Sequence, residues 1–134
     1  MSVRILVADD HFVARRALRT FITTQRQDWV ICAEASDGAE AVEQITALHP
    51  DVAVLDLAMG GLTGAAVAEQ ISHESPNTLV LTTSLYDARP LIAKLQSIGV
   101  RGFIPKSRLG TDLIPAIEAA LNGQTWFPQS KSNC

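Results

Sequence analysis

The sequence predicts a doubly wound α/β sandwich on a five-stranded parallel sheet. Two observations carry this. Five short runs are β-branched and almost continuously apolar, and each is followed by a longer stretch with helical periodicity. Continuous apolarity, in place of strict alternation, marks strands covered on both faces. Right-handed crossovers in five consecutive β–α units put helices on both sides of the sheet. A length of 134 residues suits one such domain, with no room for a second of ordinary size.

The elements follow in order. Residues 3–8 read as the first strand, and Ala14, Ala17, Leu18, Phe21 and Ile22 recur at three- and four-residue spacing after it. Residues 29–33 are the second strand, followed by Ala41, Ile45 and Leu48. Asp37 reads as the N-cap of that second helix, with Glu40 at its third helical position. Residues 52–55 form the third strand, with Val67 and Ile71 beyond it; residues 78–83 form the fourth, with Leu91, Ile92, Leu95 and Ile98 beyond it. Residues 102–104 are a short fifth, followed by Leu113, Ile114, Ile117, Ala120 and Leu121. Pro50, Pro76 and Gly123 stand where helices stop. No internal repeat or linker interrupts the series, and the polar residues 128–134 read as a frayed tail.

Composition narrows the function. Hydrophobic residues are 47% and charged residues 19%, which excludes disorder for most of the chain. A formal net charge of −3 argues against a nucleic-acid surface, which needs clustered Lys and Arg. No apolar run approaches the ~20 residues of a membrane span. The chain enters its first strand without a secretory signal pattern, and Cys32 and Cys134 make no disulfide framework. A cytoplasmic setting is the expectation.

Ligands of open α/β sheets bind beyond the carboxyl ends of the strands. There the first strand ends in Asp9 and Asp10, the third in Asp56, the fourth in Thr83 and Ser84, and the fifth at Lys106. Crowded carboxylates repel: two charges ~4 Å apart interact by about 4 kcal/mol at an effective dielectric near 20. A hard divalent cation such as Mg²⁺ relieves this through oxygen ligands, and Lys106 offers a partial counterion. A carboxylate beside a metal and a lysine can attack phosphorus, with both cations stabilising the transferring oxygens. Ser84 can then donate a hydrogen bond to the new phosphoryl group.

Over residues 3–122 the chain resembles the receiver domain of bacterial two-component response regulators. The resemblance rests on Asp9-Asp10-His11, on the stretch from Asp56 through Met59 to Gly64, on Ser84, and on Gly102-Phe103-Ile104-Pro105-Lys106. Residues 9–11 and 99–107 look most like the NarL/FixJ (LuxR-like) branch. The resemblance implies a flavodoxin-like (βα)5 fold and a phosphorylation-controlled switch, not an enzyme acting on free substrates. It implies Asp56 as the phosphoacceptor. Mg²⁺ would be held by Asp9, Asp10, Asp56 and the backbone carbonyl of Ala58. Lys106 and Ser84 would bind the phosphoryl group, with Phe103 at the aromatic switch position. It further implies a sensor histidine kinase as phosphoryl donor and a possible homodimer. DNA would be reached only through a helix-turn-helix domain that these 134 residues do not include. Residues 1–125 would be the receiver and 126–134 a tail opening towards such a domain. Two departures stand out. Gly60 replaces a common proline, which predicts a looser loop. Ser107 replaces a proline after the lysine, which predicts a trans bond, or a strained one, and a slightly displaced Lys106.

Plainer readings stay open. Asp9 and Asp10 are also good N-caps, Ser84 can satisfy backbone, and Lys106 alone would be a solvated lysine. Phe103 can equally be a core residue. His11 reads as a surface residue, His49 and His73 as solvated helix ends, and Cys32 as a small buried apolar residue. Trp126 and Phe127 read as packing on a groove or as an exposed contact pair. Three other functions compete: a stand-alone receiver acting by protein–protein contact, an α/β phosphotransferase, and a flavin-type cofactor binder. Phosphotransferases commonly carry an acid two residues after the nucleophile, where this chain has Ala58. Asp9-Asp10-His11 would repel a cofactor phosphate, and Gly60, Gly61 and Gly64 do not match a dinucleotide fingerprint.

Overall fold

A computed structural model describes residues 2–128. The elements run β1 (Val3–Ala8), α1 (Phe12–Gln25), β2 (Trp29–Ala35), α2 (Gly38–Leu48), β3 (Val52–Asp56) and α3 (Gly64–Glu74). They continue as β4 (Leu79–Ser84), α4 (Ile92–Ser97, entered through a 3₁₀ turn at Arg89–Leu91), β5 (Gly102–Pro105) and α5 (Leu109–Leu121, entered through a 3₁₀ turn at Lys106–Arg108). All neighbouring strands pair in parallel, in the order β2-β1-β3-β4-β5. This is the doubly wound sandwich that the sequence predicts.

Strand periodicity divides the apolar residues between two cores. Ile5, Val7, Val52, Val54, Leu81 and Ile104 face one side and pack with Leu18, Ile22, Leu113 and Ile117 of α1 and α5. Leu6, Ala8, Ala53, Leu55, Val80 and Phe103 face the other and pack with Ile45, Val67, Ile71 and Leu95 of α2, α3 and α4. Successive side chains point to opposite faces, so every central strand feeds both layers.

The helix ends follow the sequence with one change. Asp37 Oδ1 accepts from the Glu40 N–H at 2.7 Å, as an N-cap should. The Glu40 carboxylate, however, accepts from the Ser36 N–H, one residue before the cap. Thr63 caps α3 by accepting from the Ala66 N–H. His49 ends α2 in the left-handed region at φ 46°, just before Pro50, and Gly123 follows α5 at φ 79°.

Two sequence readings change. Cys32 is half-buried instead of fully buried. It sits on edge strand β2 at a bulge, where Ile5 pairs Ile31 but Leu6 pairs Ala33. A residue on an edge strand is flanked by one strand only, so its cover is partial. His49 is exposed but donates to or accepts from Ser75 Oγ at 2.9 Å, so it closes a polar junction between α2 and α3 as well as meeting solvent. Cys134 and the tail beyond Pro128 lie outside the described residues.

After α5 the chain returns to the sheet. Trp126 pairs in parallel with Gly102, beyond the edge of β5. Its N–H donates to the Arg101 carbonyl at 2.8 Å, and its carbonyl accepts from the Phe103 N–H at 2.9 Å. Trp126 joins the α1/α5 core and Phe127 the opposite one.

Candidate functional site

The parallel sheet brings the carboxyl ends of β1, β3, β4 and β5 to one rim. Asp9 leaves β1 fully buried, and its N–H is held by the Ala35 carbonyl at 3.0 Å. Its Oδ1 accepts from the His11 N–H at 2.8 Å and its Oδ2 from Lys106 Nζ at 2.7 Å. Asp56 ends β3 and is 3% exposed. Its Oδ1 accepts from the Ala58 N–H at 3.0 Å and its Oδ2 from Lys106 Nζ at 3.1 Å. One ammonium thus spans two buried carboxylates that lie 47 residues apart in sequence.

Asp10 and His11 stand at the mouth. The ring Nδ1 of His11 lies 3.1 Å from Asp10 Oδ1 and 3.5 Å from Asp9 Oδ1. One ligand-type atom from each of Asp9, Asp10, His11 and Asp56 falls within 4.8 Å of the others. The carboxylate oxygens suit a hard divalent cation, which prefers oxygen donors, and a single imidazole at the exposed edge does not change that preference.

Lys106 is held by opposing effects. Burial pulls its pKa down, and the hydrogen bonds and charges of Asp9 and Asp56 outweigh it, so the pKa stands above the ordinary lysine value. The ammonium therefore remains a counterion at neutral pH. Every described peptide bond is trans, Lys106–Ser107 included, and Lys106 still reaches both acids.

The loop after Asp56 is anchored at several points. The Leu57 N–H donates to the Thr83 carbonyl, and Met59 is buried in the core beside α2 and α3. The Gly64 N–H reaches back to the Leu57 carbonyl at 3.2 Å. A Cβ on Gly64 would lie 2.6 Å from the Asp56 carbonyl oxygen, so α3 begins directly against the end of β3. Gly60 and Gly61 form the exposed tip, and Gly61 takes φ 75°.

Ser84 is buried at the end of β4, and its Oγ accepts from the Tyr86 N–H at 3.0 Å. Phe103 pairs with Thr82 and Pro105 with Ser84, so Phe103 and Ser84 share one face of adjoining strands. Phe103 is 2% exposed and belongs to the core. Leu85 and Tyr86 beside Ser84 are exposed.

Sequence reasoning missed a clamp. Arg15 on α1 donates to the Asp9 carbonyl at 2.8 Å and to Glu34 Oε1 at 3.0 Å. Glu34 on β2 also receives Arg16 and Arg19. Burial pushes the Glu34 carboxyl up, but the hydrogen bonds from Arg19 and Arg15 prevail and its pKa is lowered. Three arginines on one helical face were the available signal, one that usually marks a solvated face.

A doubly wound sheet in this strand order, with an acidic pocket closed by a lysine at its carboxyl rim, defines a class of α/β domains that act at that rim. The response regulator receiver domain model matches residues 5–118, and the chain belongs to that family. It is 31% identical over 125 residues to the oxygen regulatory protein NreC of Staphylococcus epidermidis, covering 92% of this chain and 57% of that protein. It is 33% identical over 124 residues to the transcriptional regulatory protein LiaR of Bacillus subtilis, covering 91% of this chain and 57% of that protein. A crystal structure of a LuxR-family two-component response regulator from Aurantimonas superposes with a TM-score of 0.88 at 28% identity, over 94% of this chain and 89% of that one. The chain is therefore a NarL/FixJ-type receiver domain of two-component signalling, spanning just over half the length of the curated relatives it matches. No described helix is long and apolar enough to cross a membrane.

Proposed function

We propose that Asp56 accepts a phosphoryl group from a phosphohistidine of a sensor kinase in the cytoplasm. A carboxylate oxygen of Asp56 forms the new P–O bond as the P–N bond breaks, and the histidine nitrogen keeps the leaving electron pair. Lys106, already on Asp56, stabilises charge on the transferring oxygens. Asp9, Asp10, Asp56 and the Ala58 carbonyl would hold Mg²⁺, which supplies further charge neutralisation when bound. Ser84 then turns its hydroxyl from the Tyr86 N–H towards the phosphoryl group, and Phe103 adjusts on the same face.

The observation that carries this reading is Lys106 Nζ bridging Asp9 and Asp56 at 2.7 and 3.1 Å. Buried acids held by one cation form a site whose balance an added phosphoryl group must upset. On this reading the domain acts as a switch, and alanine stands at position 58, two residues after the phosphoacceptor, where phosphotransferases commonly carry an acid. By likeness to the DNA-binding transcriptional activator EvgA of Escherichia coli, its output would be a DNA-binding domain, with a second copy of itself as the other candidate. The test is acetyl phosphate with Mg²⁺, read by intact mass. The wild type should gain one phosphoryl group and Asp56→Asn none. An equal gain in both proteins would place the reaction elsewhere.

A further inference from the structure

The segment after α5 is built into the sheet beside the residue that the switch reading needs to move. The Phe103 N–H is held by the Trp126 carbonyl, and the Trp126 N–H by Arg101. Trp126 and Phe127 pack into opposite cores, as successive residues of a strand do. Phe127 lines a surface recess together with Phe103, Pro105, Arg108 and Asp112. Gly102 allows the close approach: a Cβ there would lie 2.8 Å from the Trp126 carbonyl oxygen and 2.8 Å from Leu81 Cδ2 in the core. The contact is therefore specific in register and chemistry.

We propose that Trp126 and Phe127 form a strap on β5 that holds Phe103 in its unphosphorylated position, so that phosphoryl occupancy of Asp56 loosens the strap. The inference rests on the reading of Asp56, Ser84 and Phe103 given above. Drawing Ser84 towards the phosphoryl group opens space on the face it shares with Phe103. Phe103 moving into that space leaves Phe127 without its aromatic neighbour and strains the backbone bond to Trp126. Coupling between two sites is reciprocal: a strap that resists the occupied state must itself be weakened by it. The chain leaving the domain would then carry the state of Asp56 outward through its own backbone.

The test uses the whole 134-residue chain with beryllofluoride and Mg²⁺, read by amide hydrogen exchange and by titration of the ligand. Exchange at the Trp126 amide should quicken several-fold on beryllofluoride binding, and Asp56→Asn should show no such change. Phe127→Ala should bind beryllofluoride about fivefold more tightly than wild type, the lower end of ordinary coupling strengths. Binding at Asp56 with unaltered exchange at Trp126 would overturn the coupling while leaving the phosphoacceptor reading intact. Equal or weaker affinity in Phe127→Ala would do the same. No beryllofluoride binding by the wild type would bring down the site reading and the strap with it.

Discussion

Lys106 is the residue on which the site's electrostatics turn. Its side chain is 11% exposed and its two partners are nearly inaccessible, so solvent screens this triad little. Removing the ammonium leaves two buried carboxylates facing each other. Lys106→Met should therefore lose about 3–5 kcal/mol of stability in metal-free buffer, the cost of leaving a buried charge unpaired. Millimolar Mg²⁺ should restore more stability to the variant than to wild type, and urea titrations with and without the ion measure both. Because the folded-state pKa of Lys106 is raised, its contribution is complete below the ordinary lysine pKa and fades as pH climbs through the higher folded value. Stability curves should fall in wild type only once pH passes the ordinary lysine pKa, and be flatter there in Lys106→Met. Arg15 works at the same scale but on backbone. Its loss takes a charged hydrogen bond from the Asp9 carbonyl, while Glu34 keeps Arg16 and Arg19. Arg15→Ala should cost about 1.5–3 kcal/mol, the range for bonds to charged groups, by the same titration. Asp9, Asp56 and Lys106 were legible because strand ends can be counted along the chain. Arg15 was not, because the carbonyl it holds has no sequence signature.

Helices and strands were read to within a few residues wherever apolar periodicity marks them. The exceptions have local causes. The bulge at Cys32 leaves no trace in a run of apolar residues, since inserting one residue changes register without changing composition. The pairing of Trp126 with Gly102 involves a single bridge, too short to show a strand period. Close approaches are equally hidden, and they make α3 and α5 respond differently to the same change. Gly64 begins α3 against the backbone of Asp56 and Leu57, which cannot swing aside, whereas Gly110 in α5 has open space around its Cα. Gly64→Ala should destabilise by about 1–3 kcal/mol, the usual cost of overpacking. Gly110→Ala should stabilise by about 0.5–1 kcal/mol through helix propensity. Equal effects in thermal unfolding would contradict the asymmetry. The difference reports the close contact between the start of α3 and the end of β3.

At the scale of the molecule, two cores grip a sheet whose buried carboxylates, Asp9 and Asp56, gather at one end. Burial of Ile5 through Val7, Val52 through Leu55 and Leu81 fixes the strands, and the strands fix the rim. Such a rim can be strained without unfolding the domain, because the apolar layers do not depend on Asp56 being unmodified. Ligand binding to the folded state alone must then raise its stability, by about 2.7 kcal/mol at a hundred times the dissociation constant. For a domain of this size that corresponds to a rise in Tm on the order of 10 °C. Beryllofluoride with Mg²⁺ should produce that rise in wild type and not in Asp56→Asn. Lys106→Met should show a smaller rise, since the ammonium that neutralises the bound anion is gone while the core is unchanged. A rise of full size in Asp56→Asn would mean that the ligand binds away from the rim, and the convergence of β1, β3 and β5 on Lys106 would then serve stability alone.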